Sequence, residues 1–183
     1  MIVLAGASAS GKTEAAKMLA SKYGITKVIT TTTRPMRTGE VNGRDYFFVS
    51  EEKFKQMIQE GRFVEYTNYN GYFYGSTKDQ IASNKCVVID PAGLKAYIGL
   101  NDGSIITFFL DSSDETRRRR MLERGDKPEN VISRMEHDKK AFIPELLPVV
   151  DYHINTEISN VEEVADLIYK VYKEEMLKRE KNK

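Results

Sequence analysis

The sequence predicts an α/β protein in which helices cover both faces of a central parallel sheet. Three observations carry that expectation. The chain opens with an apolar strand, a glycine-rich turn, a helix and a β-branched segment, which is the start of a βαβ unit. Two later apolar runs, residues 86–89 and 105–110, end on aspartates, Asp90 and Asp111, and such runs suit strands buried on both faces. Near the end, Val161, Val164, Leu167, Ile168, Val171 and Tyr172 recur at helical spacing and give one more covering helix.

The elements follow in order. Residues 2–5 form the first buried strand and residues 6–11 the turn. Ala16, Leu19 and Ala20 lie on or near one face of a helix over 13–22. Residues 27–33 are β-branched and predict a second strand. Arg34-Pro35 breaks it, and Asn42-Gly43 is a turn signal. Residues 46–49 predict a short strand, and Phe54 and Ile58 mark a short helix over 51–59. Short aromatic segments from 63 to 74 are punctuated by Gly71 and Gly75. Residues 34–76 therefore read as a small mixed or antiparallel insert. The α/β rhythm resumes with the strands at 86–89 and 105–110. A charged helix then starts at Asp114 and carries Arg117 to Arg120; Gly125-Asp126 interrupts it, and a second polar helix follows over about 129–141. Residues 152–155 predict a last strand.

Composition excludes several classes. The 183 residues hold 28 Lys plus Arg against 27 Asp plus Glu, a net charge of +1, with 40% hydrophobic residues. A disordered charged tail has neither that apolar content nor that balance. No whole-protein field draws in nucleic acid, so any phosphate recognition comes from local clusters. One cysteine, Cys86, rules out an internal disulfide framework and a cysteine-based metal cluster, and two histidines argue against a multi-histidine metal site. No apolar run has the length of a membrane span, and no basic leader precedes the first strand. The expected location is the cytoplasm, with no membrane or nucleic-acid partner.

Gly6-Ala7-Ser8-Ala9-Ser10-Gly11-Lys12-Thr13 matches the GxxxxGK[ST] phosphate loop in full, between an expected strand and an expected helix. Glycines let successive backbone N–H groups face one point, and the helix adds its positive end. Lys12 reaches β- and γ-phosphate oxygens, and the Thr13 hydroxyl can ligate Mg²⁺. The loop therefore predicts a nucleoside triphosphate with Mg²⁺, and leaves the phosphate acceptor open. Arg34 and Arg37, three apart around a proline, can converge their planar forks on one small dianion. Tyr46 and Tyr74 hydroxyls can complete that shell, while Tyr72 is expected to pack. Arg120 and Arg124, four apart, share a helix face, whereas Arg117, Arg118 and Arg119 are expected on solvated surface.

Thr30 to Tyr46, Phe63 to Tyr66, Gly71 to Ser76, the arginine helix with Glu123-Arg124-Gly125, Arg134, and Asp151 to Asn155 together resemble the guanylate kinases over nearly the whole chain. The resemblance implies a P-loop three-layer α/β/α fold: a core of residues 1–33 and 77–183 with a helical lid at about 114–141, and a GMP-binding insert at 34–76. It implies ATP-dependent phosphorylation of GMP or dGMP, by a monomer or homodimer. Arg34, Arg37, Tyr46 and Tyr74 would hold the acceptor phosphate, with Thr30 near the acceptor site. Glu65 would bind the guanine edge, where a carboxylate can accept from both N1–H and N2–H, a pair that adenine lacks, and Ser76 would contact its O6. Arg120, Arg124 and Arg134 would close over the transferring group beside Lys12, and Asn155 would lie near the adenine.

One position departs from that family. Its corresponding strand commonly carries two acidic residues, of which Asp90 matches the second and Val88 replaces the first. Val88 accepts no hydrogen bond, which leaves Glu65 to do most of the base selection. Asp90 has two readings open to it: it orients the acceptor site or holds a magnesium-bound water, or it caps the strand end. A kinase for another nucleoside monophosphate, and a binding module without catalysis, are the alternatives.

Overall fold

A computed structural model describes residues 1–157 and 160–181. The expected core segment 77–183 includes Ile158, Ser159, Asn182 and Lys183, which lie outside the described residues. In chain order the elements are β1 (Ile2–Ala5), α1 (Lys12–Tyr23), β2 (Thr26–Lys27), β3 (Thr31–Thr32), β4 (Phe47–Phe48), α2 (Glu51–Gln59), β5 (Phe63–Tyr69), β6 (Tyr72–Thr77), β7 (Lys85–Val88), α3 (Pro91–Gly99), β8 (Ile106–Asp111), α4 (Asp114–Glu123), α5 (Pro128–Ala141), β9 (Tyr152–Asn155) and α6 (Val161–Lys181).

Five strands make one parallel sheet in the order β2-β7-β1-β8-β9. Alternation along β1 sorts the core into two layers. Ile2 and Leu4 pack with Leu19 of α1 and Ile168 of α6. Val3 and Ala5 face the other way, onto Leu94 and Tyr97 of α3. The expected three-layer α/β/α architecture is present. Burying both faces of β1 explains why its sequence is apolar throughout instead of alternating.

The second sheet is mixed, in the order β4-β3-β6-β5. The single strand expected over 27–33 is two strands in two sheets. Lys27 pairs with Cys86 in the parallel sheet, whereas Thr31 and Thr32 pair with Gly75 and Tyr74. A β-branched run reports extended backbone but not which partner claims each residue. Beneath this sheet, Phe54 and Met57 of α2 pack on Phe63. A Cβ on Gly75 would meet Phe63 Cδ1 at 2.7 Å and Glu65 O at 2.9 Å, so only glycine lets β6 lie this close to β5. The register shifts between Phe63 and Glu65, which sets Glu65 directly across from Ser76.

Helix starts follow their caps. Asp90 accepts from the Gly93 N–H at 2.8 Å and Pro91 occupies the first turn of α3. Ser113 caps α4 by accepting from Thr116 N–H at 3.2 Å. Glu157 in turn accepts from the Thr116 and Ser113 hydroxyls and the Ser113 N–H, and these bonds, Thr116 foremost, pull its carboxyl down to about 2. Among the described residues no helix is long and apolar enough to cross a membrane.

Candidate active site

The loop between β1 and α1 takes the conformation its sequence demands. Gly6 sits at φ +145°, and a Cβ there would lie 2.3 Å from the Leu110 carbonyl oxygen. That close approach joins the loop to the end of β8. Gly11, at φ +95°, turns the chain into α1. Lys12 folds back over the loop: its Nζ donates to the Gly6 and Ala7 carbonyls at 2.7 Å each. Burial lowers its pKa from 10.5 to about 8, against an opposing pull from Asp138.

A consequence follows for nucleotide binding. Phosphate oxygens beside Nζ favour the charged form, so binding near pH 8 takes up a proton. About half a proton per site is expected at pH 8, falling toward none at pH 6.5, where Lys12 is already charged. Calorimetry in two buffers of different ionisation enthalpy measures it, and Lys12→Met should abolish it. Equal uptake by the variant would assign the proton to another group.

Ala9, Gly11, Lys12, Thr13, Arg120, Arg124 and Thr156 line one cavity of about 410 Å³, which runs from the loop toward Val161 and Val164 of α6. Arg120 reaches across from α4: its Nη2 donates to the Thr156 carbonyl at 2.6 Å and its Nη1 to the Ala9 carbonyl at 3.3 Å. Arg124 is exposed and paired with Asp126 at 2.5 Å. Arg134 is exposed on α5, on the side of Asp126, whose pKa it helps to lower after Arg124. Asn155 is not on the wall of this cavity; its side chain accepts from Glu157 N–H at 2.7 Å, and the neighbouring Thr156 lines the wall instead.

Arg117 departs from its expected place on solvated surface. It is 5% exposed and forms an ion pair with Asp138, itself 5% exposed, at 2.8 Å. Asp138 also accepts from the Ser8 N–H at 2.8 Å and the Ser8 hydroxyl at 3.1 Å. The pair thus ties α4, α5 and the phosphate loop together. Sequence reasoning missed Asp138. The available signal was its position seven residues after the buried Val131, on the same face of α5.

The insert gathers the acceptor residues in two groups. In the first, the Arg34 guanidinium lies 5.4 Å from the Tyr46 ring centroid, and the Tyr46 and Tyr74 rings meet edge-on at 6.2 Å. Glu40 pairs with Arg34 at 2.6 Å and also accepts from the Arg37 N–H at 2.7 Å, so one carboxylate orders both arginine positions. In the second, Glu65 accepts from the Ser76 hydroxyl at 2.5 Å and from the Ser76 N–H at 3.1 Å. Thr30 is half-buried, with its carbonyl accepting from Phe47 N–H at 3.0 Å. Val88 and Asp90 lie with Gly6, Ser8 and Lys12 on the wall of a second cavity of about 570 Å³, which His137, Asp138 and Ala141 of α5 also line.

A phosphate loop on a parallel sheet, an arginine-bearing helical pair beside it and a separate small sheet define a P-loop nucleotide kinase. Comparison with known proteins makes the class specific. The guanylate kinase family model matches residues 1–167. Guanylate kinase of Caldanaerobacter subterraneus subsp. tengcongensis is 33% identical, across 100% of this chain and 91% of its own. That of Anaplasma phagocytophilum (strain HZ) is 31% identical, across 97% and 88%. The crystal structure of guanylate kinase from Anaplasma phagocytophilum superimposes with a TM-score of 0.59 at 27% identity, covering 96% of this chain and 85% of that one. The chain belongs to the guanylate kinase family.

Proposed function

We propose that this chain is an ATP-dependent kinase that passes the γ-phosphoryl group directly to GMP or dGMP, yielding ADP and GDP or dGDP. The carrying observation is a complete phosphate loop, with Lys12 folded into it, in the same chain as a Glu65–Ser76 pair whose donors and acceptors complement guanine. Family membership supports the same reading. Lys12 and the loop amides of residues 6–13 hold the donor phosphates. Arg34, Arg37, Tyr46 and Tyr74 hold the acceptor phosphate, with Thr30 and Asp90 at its margin. Arg120, Arg124 and Arg134 neutralise charge on the moving group from the lid, 114–141, and help exclude water. The acceptor phosphate is already anionic near neutral pH, so no general base is needed.

Mg²⁺ fits the donor set, because the Thr13 hydroxyl stands beside Lys12 on the cavity wall and hard oxygen ligands suit that ion. When bound it neutralises β- and γ-oxygen charge. The protein's own contribution is to place both phosphates and keep the site dry. In domain terms, residues 1–33 and 77–183 serve as the ATP-binding core and 34–76 as the acceptor-binding unit, whose sheet also takes in β3 (Thr31–Thr32). The Arg34–Glu40 bond gives the acceptor site a pre-set cation, and that bond foremost raises the Arg34 pKa.

A panel of GMP, dGMP, AMP, IMP, CMP and UMP with ATP–Mg²⁺ tests the proposal. GMP is expected to exceed AMP in kcat/KM by about 10²-fold or more, since a site built to pair N–H donors rejects the base lacking them. GMP should exceed IMP by only about tenfold, because Val88 adds no acceptor for the 2-amino group. A preference for AMP would refute the role of Glu65, and absence of turnover with every acceptor would favour a binding module.

A further inference from the structure

Behind the Glu65–Ser76 pair stands a third group. Tyr97 comes from α3 of the core, is 1% exposed, and places its hydroxyl 3.0 Å from Ser76 Oγ. Ser76 is also 1% exposed. The direction of each bond is fixed by counting protons. The Glu65 carboxylate only accepts, so the Ser76 hydroxyl spends its one proton on Glu65. The Tyr97–Ser76 bond is therefore donated by Tyr97. Burial raises the Tyr97 pKa to about 12, which keeps it protonated and a donor at every working pH.

We infer that Tyr97 is a positioning residue that sets base specificity by fixing the polarity of Ser76. With one lone pair of Ser76 occupied by Tyr97, the hydroxyl proton has two places left, Glu65 or a base edge, and it turns to the base once base N–H donors satisfy Glu65. A purine 6-oxo group accepts that proton. A 6-amino group has no lone pair to take that proton, and adenine, lacking an N1–H, does not release it from Glu65. Tyr97 touches no substrate; it acts through Ser76. The recognised class is 6-oxopurine nucleoside monophosphates, selected by a chain that runs from core helix to insert strand. This selection is independent of the position held by Val88, which lies on the wall of the Lys12 cavity. The inference rests on the acceptor reading above.

Tyr97→Phe removes the one oxygen and keeps the ring. The readout is the ratio of affinities for IMP and AMP, with Kd measured for both and kcat/KM for GMP and IMP. In the variant the IMP-to-AMP ratio should fall about tenfold, the worth of one buried hydrogen bond. The GMP-to-IMP ratio should stay within twofold, because the 2-amino group is read elsewhere. The loss should appear in KM, with kcat within about threefold. In a Ser76→Ala background, Tyr97→Phe should add less than a twofold change. If Tyr97→Phe weakens GMP, IMP and AMP by one common factor, or leaves all three unchanged in a folded protein, the inference fails while the kinase assignment stands. If the unmutated protein shows no preference for 6-oxopurines, the acceptor reading fails and this one with it.

Discussion

Lys12→Met should lower kcat by about 10³-fold or more while leaving the KM for GMP within about threefold. The asymmetry follows from placement. Lys12 belongs to the loop after β1 and lines both cavities, whereas Glu65 and Ser76 lie on the insert sheet. Removing the lysine deletes a fixed cation from the point where charge moves, without touching the base edge. The same substitution should not weaken the fold. A lysine held at about 8 instead of 10.5 carries a cost on the order of 3 kcal/mol for staying charged in the folded state. Its folded pKa lies below its unfolded one, so that cost is fully present below about pH 8. It is relieved as pH rises from there toward 10.5, where the unfolded chain binds more protons. Melting at pH 7 should accordingly put the variant at or above the parent, even after loss of the bonds to Gly6 and Ala7. A variant that keeps more than a tenth of the activity would remove Lys12 from the transfer step. One that melts well below the parent would show the loop needs the lysine structurally.

Much of this was legible before any coordinates, and the reasons differ by element. β1, β7 and β8 announce themselves because strands buried on both faces must be apolar throughout. The phosphate loop does so because its glycines and Lys12 answer to backbone geometry that few other residues satisfy. Thr26 to Thr32 was not legible in the same way. Its residues all favour extended backbone, and only distant partners, Cys86 for one part and Gly75 for the other, divide it between two sheets. Nothing local singles out Tyr97: its ring packs in the core beside Leu94, and its oxygen finds its partner only in Ser76, 21 residues away. Asp90 likewise shows the cap in the structure, with its carboxylate on the Gly93 N–H. Long-range polar partners leave no local periodicity, so the sequence reveals where a side chain sits more readily than what it is bonded to.

The near-zero net charge has a related lesson. Balance over the whole chain coexists with strongly organised local charge, since Glu40 orders Arg34, Asp126 holds Arg124 and Asp138 holds Arg117. Around the proposed phosphate sites these carboxylates would prearrange the cations and so lower the ordering entropy left for the substrate to overcome.

Arg117 and Asp138 give the largest stability effect expected. Each is almost fully buried, and together they join α4 and α5 to Ser8 of the phosphate loop. Arg117→Met leaves a buried carboxylate with only the Ser8 donors, and breaking one half of such a pair costs about 3–5 kcal/mol. For a chain of this size that is a drop of roughly 6–20 °C in Tm. Asp138→Leu strands the guanidinium instead, which keeps Asp114 as a partner at 2.6 Å, so its loss should be the smaller. Replacing both at once, Arg117→Met with Asp138→Leu, removes both desolvation penalties and should recover most of the stability lost in Arg117→Met. Chemical denaturation of the four proteins yields the coupling energy directly. The expectation is a double variant more stable than Arg117→Met alone. A double variant as unstable as the sum of the singles would mean the two residues act separately, and the ion pair would not be what fastens α4 and α5 to the loop. Activity then separates fastening from folding: at a temperature where all four proteins are folded, the double variant should still have a raised KM for ATP, because Ser8 has lost the carboxylate that positions its N–H and hydroxyl.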